Sequence, residues 1–464
     1  MRLAPIRTAL VITCALLGSA AVLACLVMTT NLLAVHSQSV SDVLPAGDTL
    51  LLLTHPQPED LVLFTQWFPV LQEAPLQEGT EGVAVMRTPE GEQAVVVLLR
   101  SNRPLREESD TIALPPFYAR VSDTTVIPVL QNRTDTLTRY APFHALRAAT
   151  TNGDSWAFAT TDALKPTEKT LASAVAQLLM QGATHMGYVR ENGGVRLHFY
   201  GEQGYRAARH ITVQPPADVR MSIALADTNA WWQQLADALP EEQALIFPAL
   251  LQQWTETTIA PRMSWTYDLL PLLQENGVVL LETNASGALV VALGGYHGSS
   301  REAASLAAAL QDARRQLLPQ YEIRERLFDN RFPSKDIRMR PEEQVATPTE
   351  WHQWQIERSP DAGLFTTQHG QAVIVSTDES LLKRAIETLE TSSGVPSGIA
   401  TLGTARTLAA GTLDNGQFRL LLQGSAGWEA GTMPLPLPAL ENRVRWAVQQ
   451  RRNIRTLELS SLQP

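Results

Sequence analysis

The chain has 464 residues and a formal net charge of −10 at pH 7. An acidic chain without a run of basic residues is repelled by nucleic acid and by anionic lipid surfaces, so neither is a predicted partner. The length exceeds that of one ordinary hydrophobic core, which predicts two or three domains.

The first distinct segment is the N-terminus. Arg2 and Arg7 precede 28 residues without a charge, at 8–35. A membrane-spanning helix needs about 20 apolar residues, and the two arginines place the N-terminus in the cytoplasm. We predict a cytoplasmic tail at 1–7, a transmembrane helix at 8–35 and a short stalk at 36–43, with the rest of the chain extracytoplasmic. The predicted location is therefore the cell membrane, crossed once.

Two alternatives remain open for this segment. A cleaved signal peptide has an apolar core of roughly 7–15 residues, which is shorter than the span seen here, although the chain could be cut after Ser37. A lipoprotein would carry its lipid on Cys25, but apolar residues continue to Val35. Because Cys14 and Cys25 are the chain's two cysteines, the exported part has no disulfide, no cysteine zinc site and no thiol nucleophile.

Similar patterns of strands and helices occur in both halves of the exported part. Three pairs of segments are alike: 44–55 with 215–227, 82–99 with 277–293, and 155–166 with 372–384. The second pair predicts a hairpin in each half, since alternating apolar strands flank a short polar turn. Each half closes with a further predicted hairpin, at 186–201 and 442–462.

This order of elements predicts an α+β fold. We expect an N-terminal transmembrane helix followed by two tandem, related α+β domains with mainly antiparallel sheets. The first repeat domain is placed at 44–213 and the second at 214–464. The spacing of the paired segments makes the second domain the longer one, with one insertion before its hairpin and another after it.

A bacterial family resembles this pattern. The transmembrane segment, the Pro-Ala-Asp opening of a strand at 216–218 and the strand ending in Ser-Thr-Asp at 376–378 before a Leu-Lys helix are similar to those of single-pass, membrane-anchored extracytoplasmic proteins of unknown function. The resemblance spans roughly 44–389. It implies location and architecture, and it brings no catalytic residue.

One spacing resembles a catalytic motif. Ser380 and Lys383 read as Ser-x-x-Lys, the nucleophile and base of penicillin-binding enzymes. The aligned turn in the first half has no serine at that place, and the Ser-Asp-Asn and Lys-Thr-Gly elements are absent from the chain. The residues shared by the two turns are Asp162 and Asp378, which we predict to be helix N-caps. No catalytic residue is therefore predicted.

Cofactor and metal sites also lack support in the sequence. The nine histidines are scattered, and no two have the spacing of helical metal ligands. A glycine loop of the type that holds phosphate is missing as well. We predict no cofactor and no metal.

The function favoured by these observations is a non-enzymatic binding or scaffold protein of the bacterial cell envelope, with another envelope protein as its partner. A carrier or sensor of an apolar ligand such as a lipid is the alternative, and an unrecognised hydrolase is a third. The partner-binding residues are sought in the first insertion, within 241–275, which is rich in apolar and aromatic residues. The candidates are Phe247, Trp254, Trp265 and Tyr267, because tryptophan and tyrosine are enriched where proteins bind one another. Packing of these side chains on their own domain is the other interpretation.

Overall fold

The structure is a computed structural model, and it describes most of the chain after residue 38. The described ranges are 39–100, 109–132, 135–150, 155–164, 171–191, 194–203, 205, 221–225, 231–234, 248–249, 252–253, 256, 264–269, 278–283, 288–293, 308, 311–312, 321–328, 332–339, 343–345, 354–360, 363–369, 372–391, 406–414 and 443–461. The predicted cytoplasmic tail and transmembrane helix lie outside them. In the described ranges, no helix combines the length and the apolar character that crossing a membrane requires.

The described residues form helices and mainly antiparallel strands, which confirms the predicted α+β class. The α-helices are α1 (Pro58–Phe64), α2 (Ile127–Gln131), α3 (Ala141–Ala149), α4 (Leu171–Met180) and α5 (Glu379–Thr391). The 3-10 helices are Val40–Asp42, Pro69–Glu73, Thr124–Val126, Leu137–Arg139 and Thr161–Leu164, and Trp265–Leu269 is a π-helical turn.

The strands are numbered in chain order. They are β1 (Thr49–Thr54), β2 (Thr80–Arg87), β3 (Gln93–Arg100), β4 (Thr111–Leu114), β5 (Phe117–Val121), β6 (Ser155–Thr160), β7 (His185–Glu191), β8 (Gly194–Tyr200), β9 (Met221–Leu225), β10 (Val278–Thr283), β11 (Ala288–Leu293), β12 (Tyr321–Phe328), β13 (Phe332–Met339), β14 (Glu343–Val345), β15 (Ile356–Ser359), β16 (Leu364–His369), β17 (Ala372–Ser376), β18 (Arg406–Asp414), β19 (Arg443–Arg451) and β20 (Ile454–Ser461).

The chain divides into two compact units. One comprises residues up to His144 together with Ser155–Ala157, and the other comprises 145–154 and everything from Phe158 onward. These limits differ from the predicted domains 44–213 and 214–464, which stay a prediction.

The first unit is built on a sheet in the order β1–β2–β3–β5–β4, in which all neighbours are antiparallel. β6, whose first three residues belong to this unit, pairs with β1. The strands β1, β2 and β3 contain unbroken apolar runs, and every residue of Val83–Met86 and of Val95–Leu98 is buried. An unbroken run rather than an alternating one is expected where both faces of a sheet are covered. The core of this unit therefore lies on both sides of its central strands.

The second unit contains a longer antiparallel sheet. Its strand order is β7–β8–β20–β19–β18–β9–β10–β11–β17–β16–β15–β14. The helix α5 packs on it, against β11, β16 and β17. All four predicted hairpins are confirmed, since β2 pairs with β3, β10 with β11, β7 with β8 and β19 with β20.

Two strands stand apart from this sheet. β12 and β13 pair over their full length, from Tyr321 opposite Met339 to Phe328 opposite Phe332, and form a two-stranded ribbon. Among the described strands, neither pairs with any other.

The predicted equivalence of 155–166 with 372–384 is wrong. β17 pairs with β11 and β16, whereas β6 pairs with β1. In the first unit it is β5 that pairs with the second strand of the hairpin, β3, and also with β4; β5 is followed by Ser122 and Asp123. The error has a physical cause: a strand that leads into a helix commonly ends in an aspartate cap. The sequences of several strand-to-helix junctions are therefore alike, and the strand pairing is needed to distinguish them.

Candidate functional site

The Ser-x-x-Lys segment lies at the junction between β17 and α5. The Ser380 hydroxyl donates a hydrogen bond to Asp378 Oδ1. Lys383 Nζ donates to Glu379 Oε1 at 2.6 Å, one turn earlier on the same helix. Both polar groups of the motif are therefore engaged by neighbouring carboxylates of α5 and its N-cap. The structure gives them a local role in beginning the helix.

Asp378 caps α5. Its Oδ1 accepts hydrogen bonds from the backbone N–H of Ser380 at 2.8 Å and of Leu381 at 3.0 Å. Partial burial raises the pKa of the Asp378 carboxyl, but the bonds from Ser380 and Leu381, with the charge of Arg384, outweigh this effect and lower it overall. The carboxylate is thus held in its charged form, in which it accepts from helix N–H groups.

Asp123 is an N-cap in the first unit that the sequence analysis did not identify. Its carboxylate accepts from Thr125 N at 2.8 Å at the start of the 3-10 helix that leads into α2. The bond from Thr125 N, followed by that from its hydroxyl, lowers the pKa of Asp123. Asp162 lies instead inside the 3-10 helix Thr161–Leu164, so its role as an N-cap stays a prediction.

The candidate partner-binding residues fall into three groups. Phe247 and Trp254 lie outside the described residues. Trp265 is buried, with 7% of its surface exposed. Tyr267 is 84% exposed, so it is the one described candidate whose ring is open to contact. Burial favours a packing role for Trp265, and partner binding by any of the four stays a prediction.

The π-helical turn Trp265–Leu269 is stabilised by a ring contact and by two hydrogen bonds to side chains. The Trp265 ring lies 5.6 Å from the Trp232 ring, between centroids. The backbone N–H of Trp265 donates to Gln252 Oε1 at 2.9 Å, and the backbone N–H of Tyr267 donates to Ser264 Oγ at 3.2 Å. Tyr267 therefore projects from a turn whose backbone is fixed by a buried tryptophan and two side-chain acceptors.

Two of the nine histidines, His185 and His198, are buried in the second unit, although the sequence indicated no cluster that includes them. His198 Nδ1 lies 2.9 Å from Thr456 Oγ1, across the pairing of β8 with β20. The His185 ring stacks on Phe158 with centroids 5.3 Å apart. Burial lowers the pKa of both to about 4; the Arg196 charge adds to this at His198, and the Asp162 charge opposes it at His185. Both rings are therefore neutral at pH 7.

Metal binding finds no support in the described ranges. No group of three or more histidine, cysteine, aspartate or glutamate side chains is arranged there to hold an ion.

Comparisons with protein-family models, with curated proteins and with solved structures found no significant match to this chain. The resemblance to a family of membrane-anchored extracytoplasmic proteins stays a prediction. Any statement on function therefore rests on the geometry of this chain.

Proposed function

We propose that the protein is a non-enzymatic, membrane-anchored binding or scaffold protein of the bacterial cell envelope, and that it contacts another envelope protein through the turn that carries Tyr267. The observation that carries the proposal is the 84% exposure of this tyrosine. An exposed aromatic ring on a fixed backbone loses little conformational entropy when a partner covers it, and such residues dominate many protein interfaces. π-helical turns are also frequent at functional sites.

The membrane anchor belongs to the same proposal. The uncharged span at 8–35 after two arginines supports a single crossing with the bulk of the chain outside the cytoplasm. A partner met there would itself be exported or membrane-bound. The residues of the Ser-x-x-Lys segment are bonded to Asp378 and Glu379, which supports a structural role for that segment.

We also propose that the chain contains a duplicated unit. Around the first hairpin the strand order is β6–β1–β2–β3–β5–β4. Around the second it is β18–β9–β10–β11–β17–β16. The elements that follow each other in the chain thus take corresponding places, with the correction that β5 and not β6 corresponds to β17. Tandem related domains are the simplest origin of this correspondence.

In the proposed correspondence, two connections of the second half are longer than their counterparts in the first half. β1 and β2 are separated by residues 55–79, and β9 and β10 by residues 226–277. β3 and β4 are separated by 101–110, and β11 and β16 by 294–363. Because both halves share the scaffold, we assign the specific function of this protein to the two longer connections. The first of them contains Tyr267.

The test is site-specific photo-crosslinking in native membranes. A photoreactive phenylalanine analogue at Tyr267 should give one defined adduct with another envelope protein. Val62 is the matched control, because it is an exposed apolar residue, 72% accessible, in the first unit. Adducts that are identical at both positions, or absent at Tyr267, would refute the proposed contact.

A further inference from the structure

The ribbon formed by β12 and β13 lacks cover at its centre. Ile323 is 59% exposed, and its neighbours Arg324 and Glu325 are exposed as well. Consecutive residues of a strand point to opposite faces of a sheet. Three exposed residues in a row therefore leave both faces of β12 open to solvent at this point.

An isolated two-stranded ribbon is marginally stable in water, and three or more strands are needed for independent stability. Among the described strands nothing pairs with the outer edge of β12. The outer edge of β13 carries two devices that discourage pairing: Pro333, which has no N–H to donate, and an exposed Lys335. β12 has no proline along its eight residues, so each of its residues has a backbone N–H to donate. Within the part of the chain that the structure describes, the edge that remains open to another strand is that of β12.

We propose that this edge pairs with the β12 edge of a second copy of the chain, antiparallel, with Ile323 on the twofold axis. This goes beyond the partner contact proposed for Tyr267 and uses a different segment. A twofold axis between two antiparallel strands places the residue on the axis opposite the same residue of the second copy. Each possible register is defined by the residue that lies on the axis, so only a few registers exist. Charge decides among them.

An axis at Arg324 would place two guanidinium groups opposite each other, and an axis at Glu325 would place two carboxylates opposite each other. Like charges in such positions destabilise a strand pair. An axis at Ile323 places isoleucine opposite isoleucine and Glu322 opposite Arg324 of the second copy, twice. This register removes the repulsion and adds two cross-strand pairs of opposite charge.

The register within the ribbon extends this pattern. Glu322 lies opposite Arg338 and Arg324 lies opposite Asp336. A four-stranded sheet formed by two ribbons would therefore carry rows in the order Arg338, Glu322, Arg324, Asp336, with the change of copy between the second and third. The charges alternate along each row. The same sheet places Ile337 and Ile323 of both copies in one row between them.

Disulfide trapping of the full-length chain in native membranes tests the register. Cys14 and Cys25 are first replaced by serine, so that each added cysteine is the only one. Ile323→Cys should give a covalent dimer of two differently tagged copies, because the axis brings the two sulfurs together. Glu325→Cys should not, since its counterpart lies four residues along the strand, roughly 13 Å away. Lys335→Cys, exposed on β13, should not either.

A second measurement follows the strength of the association. Ile323→Asp in the full-length chain, in detergent, should weaken self-association about tenfold in sedimentation experiments, because two carboxylates then face each other on the axis. Val62→Asp adds the same charge at another exposed aliphatic residue and should leave self-association unchanged.

Several outcomes would overturn the proposal. They are equal trapping at 323, 325 and 335, trapping at 335 alone, trapping of 323 only to an unrelated protein, and an association that Ile323→Asp leaves unchanged. None of them bears on adducts at Tyr267, so failure of the dimer and failure of the proposed partner contact are distinguishable.

Discussion

Replacement of Asp378 by alanine tests the interpretation of the Ser-x-x-Lys segment as a helix start. The change removes an acceptor shared by two backbone N–H groups, at 2.8 and 3.0 Å. Loss of an N-cap costs about 0.5–2 kcal/mol, which corresponds to opening of the first turn of α5 about 2- to 30-fold more often. The Ser380 hydroxyl donates to the same carboxylate but satisfies no helix N–H group, so Ser380→Ala should have a small effect.

Amide hydrogen exchange of the full-length chain measures this opening directly. Faster exchange is expected at Ser380 and Leu381 in Asp378→Ala, with the amides of the distant β20 unchanged. Asp378→Asn is the matched control, because asparagine is an equally good cap, and it should exchange nearly as slowly as the parent. The reasoning fails if Ser380→Ala matches Asp378→Ala, or if a β-lactam labels Ser380.

The cap also makes stability depend on pH, because the pKa of Asp378 is lowered in the folded protein. The contribution of the cap to the free energy of unfolding is present above the unfolded pKa near 4 and is lost as pH falls through the folded pKa.

Three further predictions concern other residues. Trp265→Ala should lower the free energy of unfolding by about 3 kcal/mol in urea titrations, because it empties a buried aromatic site, while Tyr267→Ala should leave that stability nearly unchanged and reduce partner recovery. Arg455→Ala should cost about 2 kcal/mol in the same titration, since the guanidinium lies 4.4 Å from the Tyr205 ring and donates to the carbonyls of Leu178 and Leu179 in the last turn of α4. Burial lowers the pKa of His198 to about 4 in the folded protein, from about 6.5 in the unfolded chain. Its contribution to the free energy of unfolding is therefore present above about pH 6.5 and is lost as the pH falls from 6.5 to 4. In His198→Gln, the free energy of unfolding should fall less steeply over that pH range.

The sequence predicted elements that follow from local chemistry. Two apolar runs on either side of the polar turn at Gly91 indicated the hairpin of β2 and β3, and an aspartate before a helical pattern indicated the start of α5. These signals act over a few residues, so they survive without knowledge of the fold. The two-stranded ribbon was not predicted, although β12 alternates aromatic or apolar and charged residues over its first four positions. Its separation from the main sheet depends on which strand pairs with which.

Burial in the candidate partner-binding segment could not be predicted either. Trp265 and Tyr267 are two residues apart and have similar sequence neighbours, yet one is 7% and the other 84% exposed. A helical turn places residues two apart on nearly opposite faces, whereas a strand places them on the same face. The sequence did not show which of the two conformations this segment adopts. The signal that would have distinguished them is contact with Trp232, more than thirty residues earlier in the chain.

The alignment error at Asp162 leads to a last prediction. Local likeness paired Asp162 with Asp378, but the proposed duplication pairs Asp123 with Asp378. Both Asp123 and Asp378 accept a hydrogen bond from the backbone N–H two residues later. If the duplication is real, Asp123→Ala should open the turn that leads into α2 by a factor within the range expected for Asp378→Ala, about 2- to 30-fold. Asp162→Ala should not speed exchange at Thr125. Hydrogen exchange at Thr125 measures both. If exchange at Thr125 is unchanged in Asp123→Ala, Asp123 and Asp378 do not have the same capping role. Strand order would then be the sole support for the duplication.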